Sequence, residues 1–226
     1  MSEKQEEILA KLSDAIVSLD AEAARKAANE AKEANVDPTA AIRALAKGMR
    51  AIGEKWNRME VFMPEVLVAA DAFYAGMEVI GRTLETEENK KIFTGTMVIG
   101  TIYGDVHTVG KDVAKAVFAA EIGVKVVDLG IEVPSEKFVD AVKQYDANIV
   151  GLGTYMSETF YNTPTVVEAL KKAGLRDKVI VVCGGPAVNR NKAIEFGADG
   201  AWDDAWVAVN EIKKLMKDKL RANVYA

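Results

Sequence analysis

Apolar residues recur along this chain with two different periods, and the change falls near residue 90. Toward the N-terminus, Ile8, Leu12, Ala15, Ile16 and Leu19 return every three or four positions, the spacing of one helix face. The alanine-rich "DAEAARKAANEAKEA" predicts a second helix with Asp20 as its N-cap. A third, "VDPTAAIRALAKGMRAIGEKW", has Asp37 as cap and Pro38 at the first helical position, where a missing N–H is harmless. "MPEVLVAADAFYAGMEVIGRTLE" predicts a fourth, again opened by a proline, Pro64. Four helices joined by short loops make a small bundle over residues 1–88. "TEENKKIFTG" is polar and aperiodic, and reads as a linker and hinge, with the boundary between domains at 89–95.

From Thr96 the pattern becomes short, continuous apolar runs. "TMVIGTI", "VKVVDLG", "ANIVGLG", "KVIVVCGG" and "GAWDD" are strand candidates. Amphipathic segments at 109–122, 134–145, 163–173, 187–196 and 204–221 alternate with them. Strands that are apolar throughout, separated by helices, predict a parallel sheet covered on both faces. The expected fold is therefore α/β: an N-terminal four-helix bundle followed by a doubly wound, Rossmann-like five-stranded sheet over 96–226, of strand order 2-1-3-4-5.

Composition narrows the chemistry. The net charge of −5 comes without any basic stripe, which argues against nucleic acid as a partner. The start, "MSEKQEEILAKL", is not a signal peptide, and no run reaches the roughly 20 apolar residues of a membrane span. A single cysteine, Cys183, forbids an internal disulfide and fits a reducing cytoplasm. With one cysteine and one histidine, the chain cannot build a structural zinc site of about four N/S ligands.

Ligands of doubly wound folds bind beyond the carboxyl ends of the strands, where the strand order reverses. The unusual residues lie there. "YGDVHTVG" follows strand 1, "GTYMSETFYNT" follows strand 3 and "GGPAVN" follows strand 4, whereas strands 2 and 5 end in plain turns, "GIEVPSE" and "DDAW". A phosphate loop does not fit: five residues rather than four stand between Gly104 and Gly110, and Lys111 precedes Asp112 rather than Ser or Thr. Asp105 and His107, the only histidine, allow three readings: a metal-ligating imidazole with its carboxylate, a general-base dyad, or a helix cap.

Taken together, Asp-x-His-x-x-Gly after strand 1, a small-residue turn after strand 3 and Gly-Gly after strand 4 resemble the cobalamin-binding domain of the corrinoid methyltransferases. The helical part resembles the cap bundle that precedes that domain in methionine synthase. The same cap occurs in the corrinoid proteins of methanol, methylamine and betaine methyltransferase systems. The likeness spans about residues 5–220, with 42 residues between Gly110 and Gly153 and 30 between Gly153 and Gly184.

The resemblance implies a methyl carrier, non-catalytic alone, which binds cobalamin base-off/His-on and shuttles a methyl group as methyl-Co(III). Its partners would be a substrate:corrinoid methyltransferase, a methylcorrinoid:tetrahydrofolate or coenzyme M methyltransferase, and a reductive activase. A cobalamin-dependent sensor and a mutase subunit are the other members of this kin. The resemblance makes His107 the axial cobalt ligand and Asp105 the holder of its far nitrogen. Thr159, in place of a family serine, continues the hydrogen-bonded chain. It has the displaced nucleotide tail run past Gly110, Gly153, Gly184 and Gly185 and beside Thr108 and Val109, with Ser157 matching a family threonine. Phe62 would shield the upper face of the corrin. Val66, Ala70 and Phe73 follow it at helical spacing, either as bundle core or as part of that shield. One departure stands out: the family's Ser-x-Leu reads Gly153-Thr154-Tyr155 here, so Thr154 is left to supply the hydroxyl and Tyr155 replaces leucine.

Overall fold

Capping chemistry sets where the first helices begin. Ser2 accepts a hydrogen bond from the Gln5 N–H while the Gln5 side chain accepts one from the Ser2 N–H, which opens α1 (Glu3–Val17). Asp20 accepts from Ala23 N–H to open α2 (Ala21–Glu33), and Asp37 accepts from Thr39 and Ala40 to open α3 (Pro38–Asn57). The fourth helix, α4, spans Met63–Gly81. The predicted helix face through Leu19 stops short. The Leu19 and Asp20 N–H groups turn back onto the Ile16 and Ala15 carbonyls, and Leu19 sits at φ 63°, so the closing turn takes the place of another helical residue.

The computed structural model describes residues 2–81 and 93–224. The predicted end of the fourth helix, and the linker and hinge up to residue 92, lie outside the described residues. The described chain divides into two compact units, one helical and one built on the sheet. In the helical unit α1 packs on α2 and α3, and α4 packs on α2 and α3. Close approach needs small residues: a β-carbon on Gly48 would stand 2.6 Å from Ile16 Cβ, and one on Gly76 would stand 2.8 Å from Leu45 Cδ2.

The second unit carries β1 (Thr96–Thr101), α5 (Val109–Glu121), β2 (Lys125–Asp128), α6 (Ser135–Tyr145) and β3 (Ile149–Gly153). After them come α7 (Ser157–Phe160), α8 (Thr163–Lys172), β4 (Ile180–Gly184), α9 (Arg190–Glu195), β5 (Gly200–Trp202) and α10 (Ala205–Val224). All strand pairs are parallel and the order is 2-1-3-4-5, as the alternating pattern predicts. The central strands are buried nearly throughout, which explains their unbroken apolar runs, while the edge strand β2 is half-buried.

Three differences are local. The segment predicted from 187 becomes helical only at Arg190, because Asn189 caps it by accepting from Lys192 N–H. The fifth strand ends at Trp202, since Asp204 accepts from the Trp206 and Val207 N–H groups and so starts α10. The four-residue α7 was not predicted; it is too short to show a period.

Candidate functional site

The loop after β1 turns sharply at Gly104, whose φ of +85° suits a residue without a β-carbon. It is pinned at both ends: Thr101 Oγ1 donates to the His107 carbonyl at 2.7 Å, and Asn162 Nδ2 donates to the Tyr103 carbonyl at 3.0 Å. The result sends two nearby side chains in opposite directions. Asp105 is fully buried, whereas the His107 side chain is 53% exposed.

Four groups converge on the Asp105 carboxylate. Oδ1 accepts from the His107 N–H at 3.1 Å and lies 2.8 Å from His107 Nδ1. Oδ2 accepts from the Tyr155 N–H at 2.8 Å and from Thr159 Oγ1 at 2.7 Å. This uses the roughly four lone-pair positions of an ionised carboxylate. Burial pushes the Asp105 pKa up, but the hydrogen bonds from Thr159, Tyr155 and His107 outweigh it and hold the group below the usual carboxylate range. An ionised carboxylate only accepts, so the proton of the neutral imidazole sits on Nδ1 and the lone pair on Nε2. Among the described residues nothing hydrogen-bonds to that Nε2.

The structure thus brings Asp105, His107, Tyr155 and Thr159 together. Thr108 donates to Asp112 Oδ2 at 2.7 Å at the start of α5, and Val109, its first residue, is exposed. Gly110, Gly153 and Gly185 gather around the Tyr155 ring; a β-carbon on Gly184 would meet only Trp202 O, at 3.8 Å. Ser157 is exposed at the start of α7. Thr154 is fully buried, and its hydroxyl has no hydrogen-bond partner among the described residues. In the helical unit Phe62 is 67% exposed and its N–H donates to Glu65 at 2.8 Å. Val66, Ala70 and Phe73 are buried within the bundle, so they serve as its core.

Two features escaped the sequence reading. Tyr103, Val106, Ile131, Met156 and Tyr161 stand exposed on the segments that follow β1, β2 and β3, at the carboxyl edge of the sheet that also carries His107. The only signal for them was large apolar residues inside turn-rich segments. The second is Lys111, whose side chain is 2% exposed and pairs with Asp128 at 2.6 Å and Asp112 at 3.2 Å. Lys115 joins the same two carboxylates at 2.6 and 2.8 Å.

Residues 95–209 match the family described as B12 binding domain, and residues 8–80 match a second family of the same description. The chain is 40% identical to the trimethylamine corrinoid protein of Methanosarcina barkeri, over 94% of this chain and 98% of that one. It superposes with TM-score 0.79 on the methanol:cobalamin methyltransferase complex MtaBC from Methanosarcina barkeri. That match is 27% identical and covers 98% of this chain and 88% of that one. A cobalamin-binding protein from Desulfitobacterium hafniense matches with TM-score 0.69 and 29% identity, over 91% and 97% of the two chains. No helix among the described residues is long and apolar enough to cross a membrane.

Proposed function

The chain belongs to the B12-binding corrinoid proteins of methyltransferase systems, and from that premise we propose that it carries a methyl group on a cobalamin bound base-off, with His107 as the lower axial ligand. The observation that carries this reading is the buried, saturated Asp105 carboxylate 2.8 Å from Nδ1 of a half-exposed imidazole.

The residues present fit the cofactor. Among the described residues no group of three or more His, Cys, Asp and Glu side chains is placed to hold a metal ion, so a metal at His107 must bring its remaining ligands with it. A macrocycle does this. The buried, unpartnered Thr154 hydroxyl is a polar atom whose burial makes sense beside a bound polar group. The exposed apolar side chains of Tyr103, Val106 and Met156 suit the rim of a large, mostly apolar ring.

When bound, the cobalamin supplies the cobalt that takes up and gives up the methyl group. His107 offers the Nε2 lone pair. Asp105 holds Nδ1–H, which fixes the tautomer, aims the ring and raises its basicity. Thr159 and the Tyr155 N–H hold Asp105 in turn, so the imidazole is oriented by a chain of donors anchored in α7 and the segment between β3 and α7. A proton held at Nε2 would find its charge balanced by the buried Asp105 carboxylate, 2.8 Å from Nδ1. Gly184 and Ser157, with the glycines around Tyr155, would border the slot for the displaced base.

The partners in this reading are a substrate:corrinoid methyltransferase that loads the carrier and a methylcorrinoid:tetrahydrofolate or coenzyme M methyltransferase that unloads it. A reductive activase returns oxidised cobalt to service. Likeness to the trimethylamine corrinoid protein favours a methylamine as donor.

The test is electron paramagnetic resonance of protein grown on nitrogen-15 histidine and loaded with cobalamin in its paramagnetic oxidation state. The expected axial-nitrogen splitting changes from triplets to doublets with the label. Splitting that ignores labelled histidine and follows labelled dimethylbenzimidazole would overturn the assignment.

A further inference from the structure

Tyr155 stands where this chain departs from Ser-x-Leu, and its ring lies where the family pattern leads one to expect open space. A β-carbon on Gly110 would stand 2.7 Å from Tyr155 Cε1 and 3.0 Å from its hydroxyl oxygen. One on Gly153 would stand 3.1 Å from Cε2. One on Gly185, at φ +124°, would stand 3.4 Å from Cδ1 and would collide with the Thr154 carbonyl oxygen. Glycines from the start of α5, the end of β3 and the loop after β4 therefore border one phenol ring. The cleft they form is the one proposed to take the nucleotide tail, and a six-membered ring already fills it.

What holds the ring there is packing alone. Its hydroxyl makes no hydrogen bond among the described residues, and burial raises its pKa well above the usual phenol value, so the group is neutral. Its backbone N–H, by contrast, is tied to Asp105 Oδ2 at 2.8 Å. The main chain is thus a fixed pivot, and rotation about χ1 moves the ring out without breaking a polar contact or shifting Asp105.

We propose that Tyr155 is a stopper for the tail slot: its ring occupies the cleft between Gly110, Gly153 and Gly185 and must rotate out before the nucleotide tail of a complete corrinoid can lie there. This rests on the base-off reading above. It makes Tyr155 a specificity-determining residue between corrinoids with and without a nucleotide tail. A ligand that binds only the ring-open state has its apparent affinity reduced by the fraction of molecules in that state. A corrinoid without the tail meets no such reduction.

The experiment compares binding of cobalamin and of cobinamide, which lacks the nucleotide, to the full-length wild type, Tyr155→Phe, Tyr155→Leu and Tyr155→Ala, by titration and stopped-flow absorbance. Removing the ring is expected to tighten cobalamin binding about tenfold and to speed its association. Cobinamide affinity moves little, which also shows that each variant is folded. Tyr155→Phe keeps the ring and should keep the wild-type ratio of the two affinities, since the hydroxyl has no partner to lose. A ratio unchanged in Tyr155→Ala while the wild type shows histidine-nitrogen coupling overturns the stopper and leaves the axial-ligand reading intact. Loss of that coupling in the wild type instead overturns the base-off reading and the stopper with it.

Discussion

Two carboxylates in the sheet unit, the fully buried Asp105 after β1 and the partly exposed Asp128 at the end of β2, are partnered in opposite ways. Asp105 must offset the full cost of taking a negative charge out of water, Asp128 only part of it. Asp128 does so with cations: Lys111 and Lys115 both lie 2.6 Å from its Oδ2, and the Gly130 N–H donates to Oδ1 at 2.9 Å. Asp105 does so with neutral donors, two backbone N–H groups and the Thr159 hydroxyl, plus one imidazole nitrogen. The first cluster is closed: its charges cancel internally and nothing is left to offer a ligand. The second is open, because the imidazole turns its other nitrogen outward. A buried carboxylate marks a binding site when one of its partners keeps unused capacity at the surface.

Breaking the closed cluster should have the largest effect on stability. Asp128→Ala leaves the Lys111 ammonium buried with only the longer contact to Asp112, and should lower unfolding free energy by about 3 kcal/mol, read by chemical denaturation. The histidine-nitrogen coupling of the loaded variant should persist. Acid should act through the same cluster. Burial raises the Asp112 and Asp128 pKa values, but the lysine ammoniums, with Thr108 for Asp112 and Gly130 N–H for Asp128, outweigh it and lower both. Groups with lowered folded-state pKa stabilise fully above the unfolded carboxylate value, near pH 4, and lose that contribution as pH falls from there through the lowered folded-state value. Stability of the wild type should therefore drop on acidification below about pH 4–5, and Asp128→Ala should show a shallower drop.

Opening the other cluster should act on cofactor more than on fold. Asp105→Asn keeps the shape but replaces the full acceptor with an amide, so Nδ1–H loses its anionic partner. Cobalamin affinity should fall about 10- to 100-fold, the usual cost of removing the group behind a metal-ligating histidine. Equal affinities in a titration would show that the carboxylate merely caps the loop. Smallest of all, Thr159→Val removes one of four donors, and should cost about 1 kcal/mol of stability and less in affinity, while Thr159→Ser restores both. A serine variant no better than valine would remove the hydroxyl from the chain of donors.

Much of this was legible along the chain. Asp20 and Asp37 cap their helices as their placement predicts, and the strand order follows from alternating apolar runs. Asp105 and His107 are two positions apart, so their contact is a local matter of loop geometry. Thr159 is 54 residues from Asp105, and only the resemblance pointed to it. Other contacts had no signal at all. Lys111 and Lys115 lie on an ordinary amphipathic helix pattern, and Asp128 reads as a strand-end residue. Nothing in their spacing says that the three would meet.

The sequence by itself determined the periods, the caps, the crossover topology and the Asp-x-His pair, because each depends on neighbours within a turn or a strand, where covalent geometry limits the choices. Tertiary structure alone decided that Thr159 and the Tyr155 N–H would complete the Asp105 shell, and that three glycines from three separate elements would close on one tyrosine ring. Those meetings depend on strand order and register across the sheet, which bring distant loops to one edge at ångström distances that no spacing along the chain encodes.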